Sequence, residues 1–279
     1  MLAQSPARPA VLPGLPLPSG RPLVMGVVNV TPDSFSDGGQ FLDGKDALEH
    51  ARRLIAEGAD ILDVGAESTR PYGGKQAVSA EEELARLSPV VPAAMTIGPP
   101  VSIDTMKARV AAWALDHGAA IVNDVWGLQR DPDMAKVVAD YGVPVIVMHN
   151  RDKADASIDV MQDVKDFFSR SLEIAAGAGI GRERVVLDPG VGFGKTPEQS
   201  VTVIARLAEF RSFGQPLLVG LSRKRFIDSI SPAPPDNRLG GSIAGNLLAV
   251  LAGADIVRVH DVAETVQALR VADAIRRAR

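Results

Sequence analysis

One pattern, a helical stretch closed by a glycine and followed by a short apolar run, returns five times along the chain: EGADILDVG, DHGAAIVND, DYGVPVIVMH, SFGQPLLVG and AGADIVRVH. Gly58, Gly118, Gly142, Gly214 and Gly253 stand where a helix ends in a left-handed residue. The runs after them are continuously apolar rather than alternating, as strands covered on both faces must be. Between the runs, apolar residues recur with helical period. Val164, Phe167, Phe168, Ser171, Leu172 and Ala175 form one stripe, and Ala47, Ala51, Leu54 and Ile55 another. Thr105 is placed to cap a helix running through Leu115.

Counting every such run gives eight strands, near residues 24–28, 60–64, 100–103, 120–123, 144–148, 185–188, 216–220 and 255–259. Eight strand–helix units in roughly 250 residues specify an α/β fold of the (β/α)8 TIM-barrel type. An open doubly wound sheet is the competitor, but the first strand lacks the G-x-G-x-x-G of its dinucleotide-binding form. The expected organisation is a single barrel domain over residues 23–279. Residues 1–22, with six of the 20 prolines, form an irregular lead-in.

Composition narrows the chemistry. A net charge of −4 disfavours non-specific nucleic-acid binding, and the absence of cysteine excludes disulfides, thiolate zinc sites and a cysteine nucleophile. No apolar run reaches the ~18 residues of a membrane span, and no signal peptide is evident, which points to a cytoplasmic protein.

In such a barrel the chemistry sits at the carboxyl ends of the strands. The residues there are Asn29, Asp63, Asp104, Asn123, His149, Asp188, Ser222 with Lys224, and Arg258 with His260. Any one of them reads as a cap or turn former. Polar groups at every strand end would converge on one mouth holding both carboxylates and cations. Asp104 reads equally as a helix cap or a pocket group, Asp63 as the internal partner of a cation, and His149 as a satisfied core histidine.

DPGVGFGKT (Asp188 to Thr196) is not a nucleotide phosphate loop, because Pro189 stands where the first glycine of G-x-x-x-x-G-K-[ST] belongs. Its glycines suit a backbone lying close to a flat ligand beside Asp188. SRKR (Ser222 to Arg225) and RVHD (Arg258 to Asp261) put cations after strands seven and eight, where barrels bind phosphate.

MGVVNVTPDSFSDGG, DVGAESTRP, SIDT, NDVWG, VMH, LDPGVGFGK, GLSRKRFI and RVHDV together resemble the dihydropteroate synthase family, in order, from Leu23 to the C-terminal helix. The resemblance implies the same barrel. It also implies condensation of p-aminobenzoate with a dihydropterin bearing a hydroxymethyl pyrophosphate, in folate synthesis. Carried onto this chain it places Asp104, Asn123, Asp188 and Lys224 around the pterin, with Met148 and Phe193 on its ring faces. Arg258 and His260 become the pyrophosphate clamp, Asn29 the Mg²⁺ ligand, and Thr69 and Arg70 part of the aminobenzoate site. Where relatives carry Ser or Thr beside the aminobenzoate carboxylate, this chain has Arg225.

The implied mechanism is dissociative. Pyrophosphate leaves, Asp104 and Asp37 stabilise the methylene cation, and the neutral arylamine attacks. NVTPDSFSDGG, with Phe35 and Asp37, is then a loop that closes over the loaded site. A homodimer is expected from the family. Two rivals share the fold: a pterin-binding methyltransferase, which needs no pyrophosphate clamp, and an inactive pterin-binding paralogue, whose damaged loops are not seen here.

Overall fold

Each apolar run becomes a parallel strand. In the computed structural model, which describes residues 12, 15, 21–30, 40–67 and 78–278, these are β1 (Leu23–Asn29), β2 (Ile61–Gly65), β3 (Val101–Asp104), β4 (Ile121–Asp124), β5 (Val145–Met148), β6 (Val185–Asp188), β7 (Leu218–Val219) and β8 (Ile256–Val259). They pair in the order β6-β5-β4-β3-β2-β1-β8-β7. A parallel bridge from Leu187 to Leu217 joins β6 to the start of β7 and completes the ring. The sequence expectation of a TIM barrel is met.

The helices α1 (Gln40–Glu57), α2 (Ala80–Leu87), α3 (Val91–Ala94), α4 (Ala108–Asp116) and α5 (Met134–Tyr141) follow the first four strands. The second half of the ring carries α6 (Val160–Gly177), α7 (Pro197–Ala205), α8 (Arg225–Ile230), α9 (Leu239–Leu251) and α10 (Val262–Arg277). Their apolar stripes face the barrel: Val164, Phe167, Phe168, Ser171 and Ala175 of α6 are buried, as are Ala47, Ala51 and Leu54 of α1. The five glycines of the repeating module all have positive φ, from +64° at Gly142 to +109° at Gly253. Thr105 does not cap α4. That helix starts at Ala108, whose N–H donates to Asp131 Oδ2 at 2.7 Å, while Thr105 Oγ1 accepts from Lys107 N at 3.2 Å.

Successive side chains of a strand alternate between the barrel lumen and the helix layer. The lumen floor is one aliphatic layer: Leu23, Met25, Ile61, Ile121, Ile146, Val186, Leu218 and Ile256. Leu12 is buried against it at 2% exposure and Leu15 packs beside it, so the lead-in reaches the floor of the barrel. Two residues further along each strand the chain points inward again, one layer higher. There stand Asp63 above Ile61, Asp104 above Ser102, Asn123 above Ile121 and Met148 above Ile146. Asp188 stands above Val186, Gly220 above Leu218 and Arg258 above Ile256. Apart from the buried Ser102 the floor is apolar, and the next layer is the chemistry.

Candidate active site

Asp104, Asn123, Met148, Asp188, Gly220 and Arg258 from that upper layer line one cavity, joined by Val125, Gly190, Val191, Phe193 and Lys224 from the loops. The space between these residues, open solvent at the mouth included, is about 340 Å³. Strands β3 to β8 therefore bring together Asp104, Asn123, Asp188, Lys224 and Arg258, far apart in the chain, at a single rim.

Arg258 organises the deep side. Its Nε donates to Asp63 Oδ2 at 2.6 Å and its Nη2 to Asp104 Oδ2 at 2.7 Å. Asp63 also accepts from Asn123 Nδ2 at 3.0 Å, so the internal cation partner read for Asp63 is present. A guanidinium between two buried carboxylates is held firmly, because removing either partner would leave an uncompensated charge away from water. This charge is largely spent on the protein, and Nη1 is the nitrogen that bonds no other group among the described residues. One N–H of Asn123 is likewise taken, which leaves its carbonyl and second N–H for the cavity.

Burial pushes the Asp104 carboxyl up to about 7 against the pull of Arg258, with Asp63, Glu83 and Asp124 adding repulsion. Asp188 is 5% exposed, and burial raises it to about 6 even though Gly190 N donates to its Oδ1 at 2.8 Å and Lys224, Lys195 and Arg258 lie nearby. These carboxylates are costly to ionise in the empty site, and a ligand offering N–H donors or positive charge relieves that cost.

Lys224 precedes α8 with extended backbone, and its Nζ lies 4.1 Å above the Phe193 ring. Asp188, Asn123 and Lys224 thus present acceptor, mixed and donor groups to one space whose apolar walls include Met148 and Phe193. A flat heterocycle with N–H donors on one edge and a carbonyl on the other satisfies that pattern.

His260 lies beyond Arg258. Its ring Nδ1 is 3.1 Å from Ser222 Oγ, and its backbone N–H donates to the same hydroxyl at 3.3 Å. Burial, then Arg258 and Arg223, lower its pKa to about 3, so the imidazole is neutral at pH 7. Asn29 ends β1, half-buried, opposite Gly65. No group of three or more His, Cys, Asp or Glu side chains able to hold a metal occurs among the described residues. Phe35, Asp37, Thr69 and Arg70 lie outside the described residues, and Arg225 is exposed at the start of α8.

His149 is the core histidine the sequence suggested, 1% exposed and within 2.9 Å of Asp163 Oδ2. Sequence reasoning passed over Lys195 and Gly220. The alternation of the strands points to Gly220, two residues after the floor residue Leu218. Lys195 lies within the DPGVGFGKT segment, but nothing in that segment marks its side chain as buried.

The pterin binding enzyme family model matches residues 25–260. A dihydropteroate synthase of Clostridium beijerinckii is 44% identical over 257 residues, covering 91% of this chain and 94% of its own. The dihydropteroate synthase of Clostridium difficile, solved with pteroic acid, superposes with a TM-score of 0.88 at 48% identity, covering 91% of this chain and 97% of that one. The Xanthomonas albilineans dihydropteroate synthase, solved with 4-aminobenzoic acid, gives 0.88 at 45% identity and covers 92% and 93%. With the lumen register, the rim and these likenesses in agreement, the chain belongs to the pterin binding enzymes, in the dihydropteroate synthase family.

Proposed function

We infer that the chain is a transferase that condenses p-aminobenzoate with (7,8-dihydropterin-6-yl)methyl diphosphate to give 7,8-dihydropteroate and pyrophosphate. The observation that carries this reading is the convergence of Asp188, Asn123 and Lys224 on one cavity beside Met148 and Phe193. In the proposed complex Asp188 accepts from adjacent pterin N–H groups, Asn123 meets the mixed edge, and Lys224 donates to the ring carbonyl.

The C–O bond to the diphosphate breaks with its electron pair, leaving a methylene cation conjugated with the ring. Asp104, fixed by Arg258, is the described carboxylate placed to stabilise that charge, and the developing cation favours its ionised form. The arylamine nitrogen forms the new C–N bond and then loses its proton. No strong base is needed, since the amine is neutral at pH 7. The departing anion is assigned to Nη1 of Arg258 and to His260, and its charge would draw a proton onto the imidazole. Asn29, half-buried at the end of β1, would offer its amide oxygen to Mg²⁺, a hard cation that takes oxygen donors, and such an ion would offset charge on the leaving group. The roles of Phe35, Asp37, Thr69 and Arg70 rest on the resemblance alone.

No helix among the described residues is long and apolar enough to cross a membrane. The proposed chemistry places the protein in the cytoplasm. We also propose that it works as a homodimer, on the support of an apolar face on α9 and α10.

The test is pyrophosphate release with both substrates and Mg²⁺, each omitted in turn. Release that requires all three, with dihydropteroate formed in equal amount, is the expected result. Tight pterin binding with no release would instead identify an inactive binding protein.

A further inference from the structure

Lys195 is one of the largest fully buried side chains, 1% exposed, and no step above uses it. A buried ammonium is tolerated only where hydrogen bonds surround it. Lys195 Nζ lies 2.6 Å from His149 Nδ1, 2.9 Å from Gly190 O and 3.2 Å from Phe193 O. Burial lowers the Lys195 pKa to about 7, and in its protonated form the group has three donors, enough for both carbonyls and for His149 Nδ1. In that form His149 accepts through Nδ1, carries its proton on Nε2 and donates it to Asp163 Oδ2 at 2.9 Å. A chain of hydrogen bonds therefore runs from the loop after β6, through the end of β5, into the first turn of α6.

The segment so gripped is anchored by Val191, 1% exposed in the core, but its backbone is largely glycine. Gly190, Gly192 and Gly194 all have left-handed backbone, with φ of +60°, +84° and +54°. Such a run has many conformations in the absence of tertiary bonds. At Gly190 the turn presses so closely on β5 that a Cβ would sit 1.9 Å from His149 O. This segment also carries two parts of the cavity: the Gly190 N–H that Asp188 Oδ1 accepts, and the Phe193 ring beneath Lys224.

We propose that Lys195 is a positioning residue for the pterin site: one ammonium, caged by the carbonyls of Gly190 and Phe193 and braced by His149, holds the Phe193 ring and the Asp188 carboxylate in fixed relation. This rests on the pterin reading of the cavity. Lys195 acts through the backbone and through its charge beside Asp188, and reaches the substrate only by way of Phe193 and Asp188.

Lys195→Met keeps an unbranched side chain, one atom shorter, and removes its three donors. In steady-state kinetics of the full chain, KM for the pterin diphosphate should rise about tenfold or more, KM for p-aminobenzoate should change by less than about twofold, and kcat by less than about threefold. A double-mutant cycle with Phe193→Leu gives a readout that a merely structural lysine would not move. Because the two act through the same ring, the second substitution should add little once the first is made. His149→Phe retains the packing on Phe167 and removes one acceptor of the cage, so it should shift the pterin KM in the same direction by less. It carries the test if Lys195→Met does not fold. A pterin KM unchanged in these variants, or additive losses in the cycle, overturns the proposal alone. Failure of the wild-type protein to bind pterin overturns the reading of the cavity and this proposal with it.

Discussion

Asp188 shows how a site residue works against the stability of its own fold. Its folded-state pKa is raised from 3.8 to about 6, so between those values the native state holds its proton more tightly than the unfolded chain. Stability from this group is therefore greatest at low pH, falls as pH rises through that window, and is constant above it. Asp188→Asn keeps an acceptor for the Gly190 N–H and removes the charge. At pH 8 the variant should be more stable than wild type by about 1–3 kcal/mol, the difference fading toward pH 4, as read from urea melts across that range. The same substitution should weaken pterin binding roughly 100-fold, because a charged bidentate acceptor is lost. A variant less stable than wild type at pH 8 would show that Asp188 is not strained by burial. Asp188 and Asn123 were legible in the sequence because each ends an apolar run. Asp63 was legible as the partner of an internal cation, but not that the cation is Arg258, since 195 positions separate the two and no local pattern encodes their contact.

Elements were read more securely than their joints. Continuous apolar runs preceded by a helix-closing glycine marked the strands, because burial on both faces favours that composition. Helix starts failed where tertiary contacts supply the cap, as at α4, whose first N–H is satisfied by Asp131 in a different loop. The joint between β2 and α2 is built in the same long-range way. Lys107, just before α4, donates to Glu67 Oε2 at 2.5 Å and to the fully buried Glu83 Oε2 at 2.6 Å, while Glu67 Oε1 accepts from Val78 N at 3.4 Å. Burial alone would lower the Lys107 pKa, yet the two carboxylates outweigh it and the net shift is upward. Lys107→Met leaves both carboxylates without their cation and should cost roughly 3 kcal/mol in equilibrium unfolding. Adding Glu83→Gln should restore part of that loss, because the repulsion it relieves is the main penalty. A double variant as unstable as the sum of its parts would assign the loss to packing instead.

At the scale of the whole molecule, one outer face bears on the homodimer proposed above. α9 and α10 pack side by side and expose Leu248 and Leu251 at 62% and 67%, and Val271 and Ile275 at 55% and 58%. Scattered apolar residues are ordinary on a surface, whereas four large ones on two adjacent helices form the kind of patch that association covers. Homo-oligomers are most often two-fold dimers, in which one patch serves both copies, so this face suits a second copy of the chain. It also lies on the helix layer outside the lumen, so pairing there leaves the mouth of the barrel open to substrates. Sedimentation velocity should show a dimer at micromolar concentration. Leu248→Glu with Leu251→Glu should convert it to monomer, since placing carboxylates in a dry interface costs far more than it does in water. The pterin site lies away from this face, so pterin affinity in the monomer should remain within about twofold of the wild-type value. A monomeric wild-type protein would show that the two helices are covered by something other than their own kind. A dimer that survives both glutamates would move the interface elsewhere on the barrel.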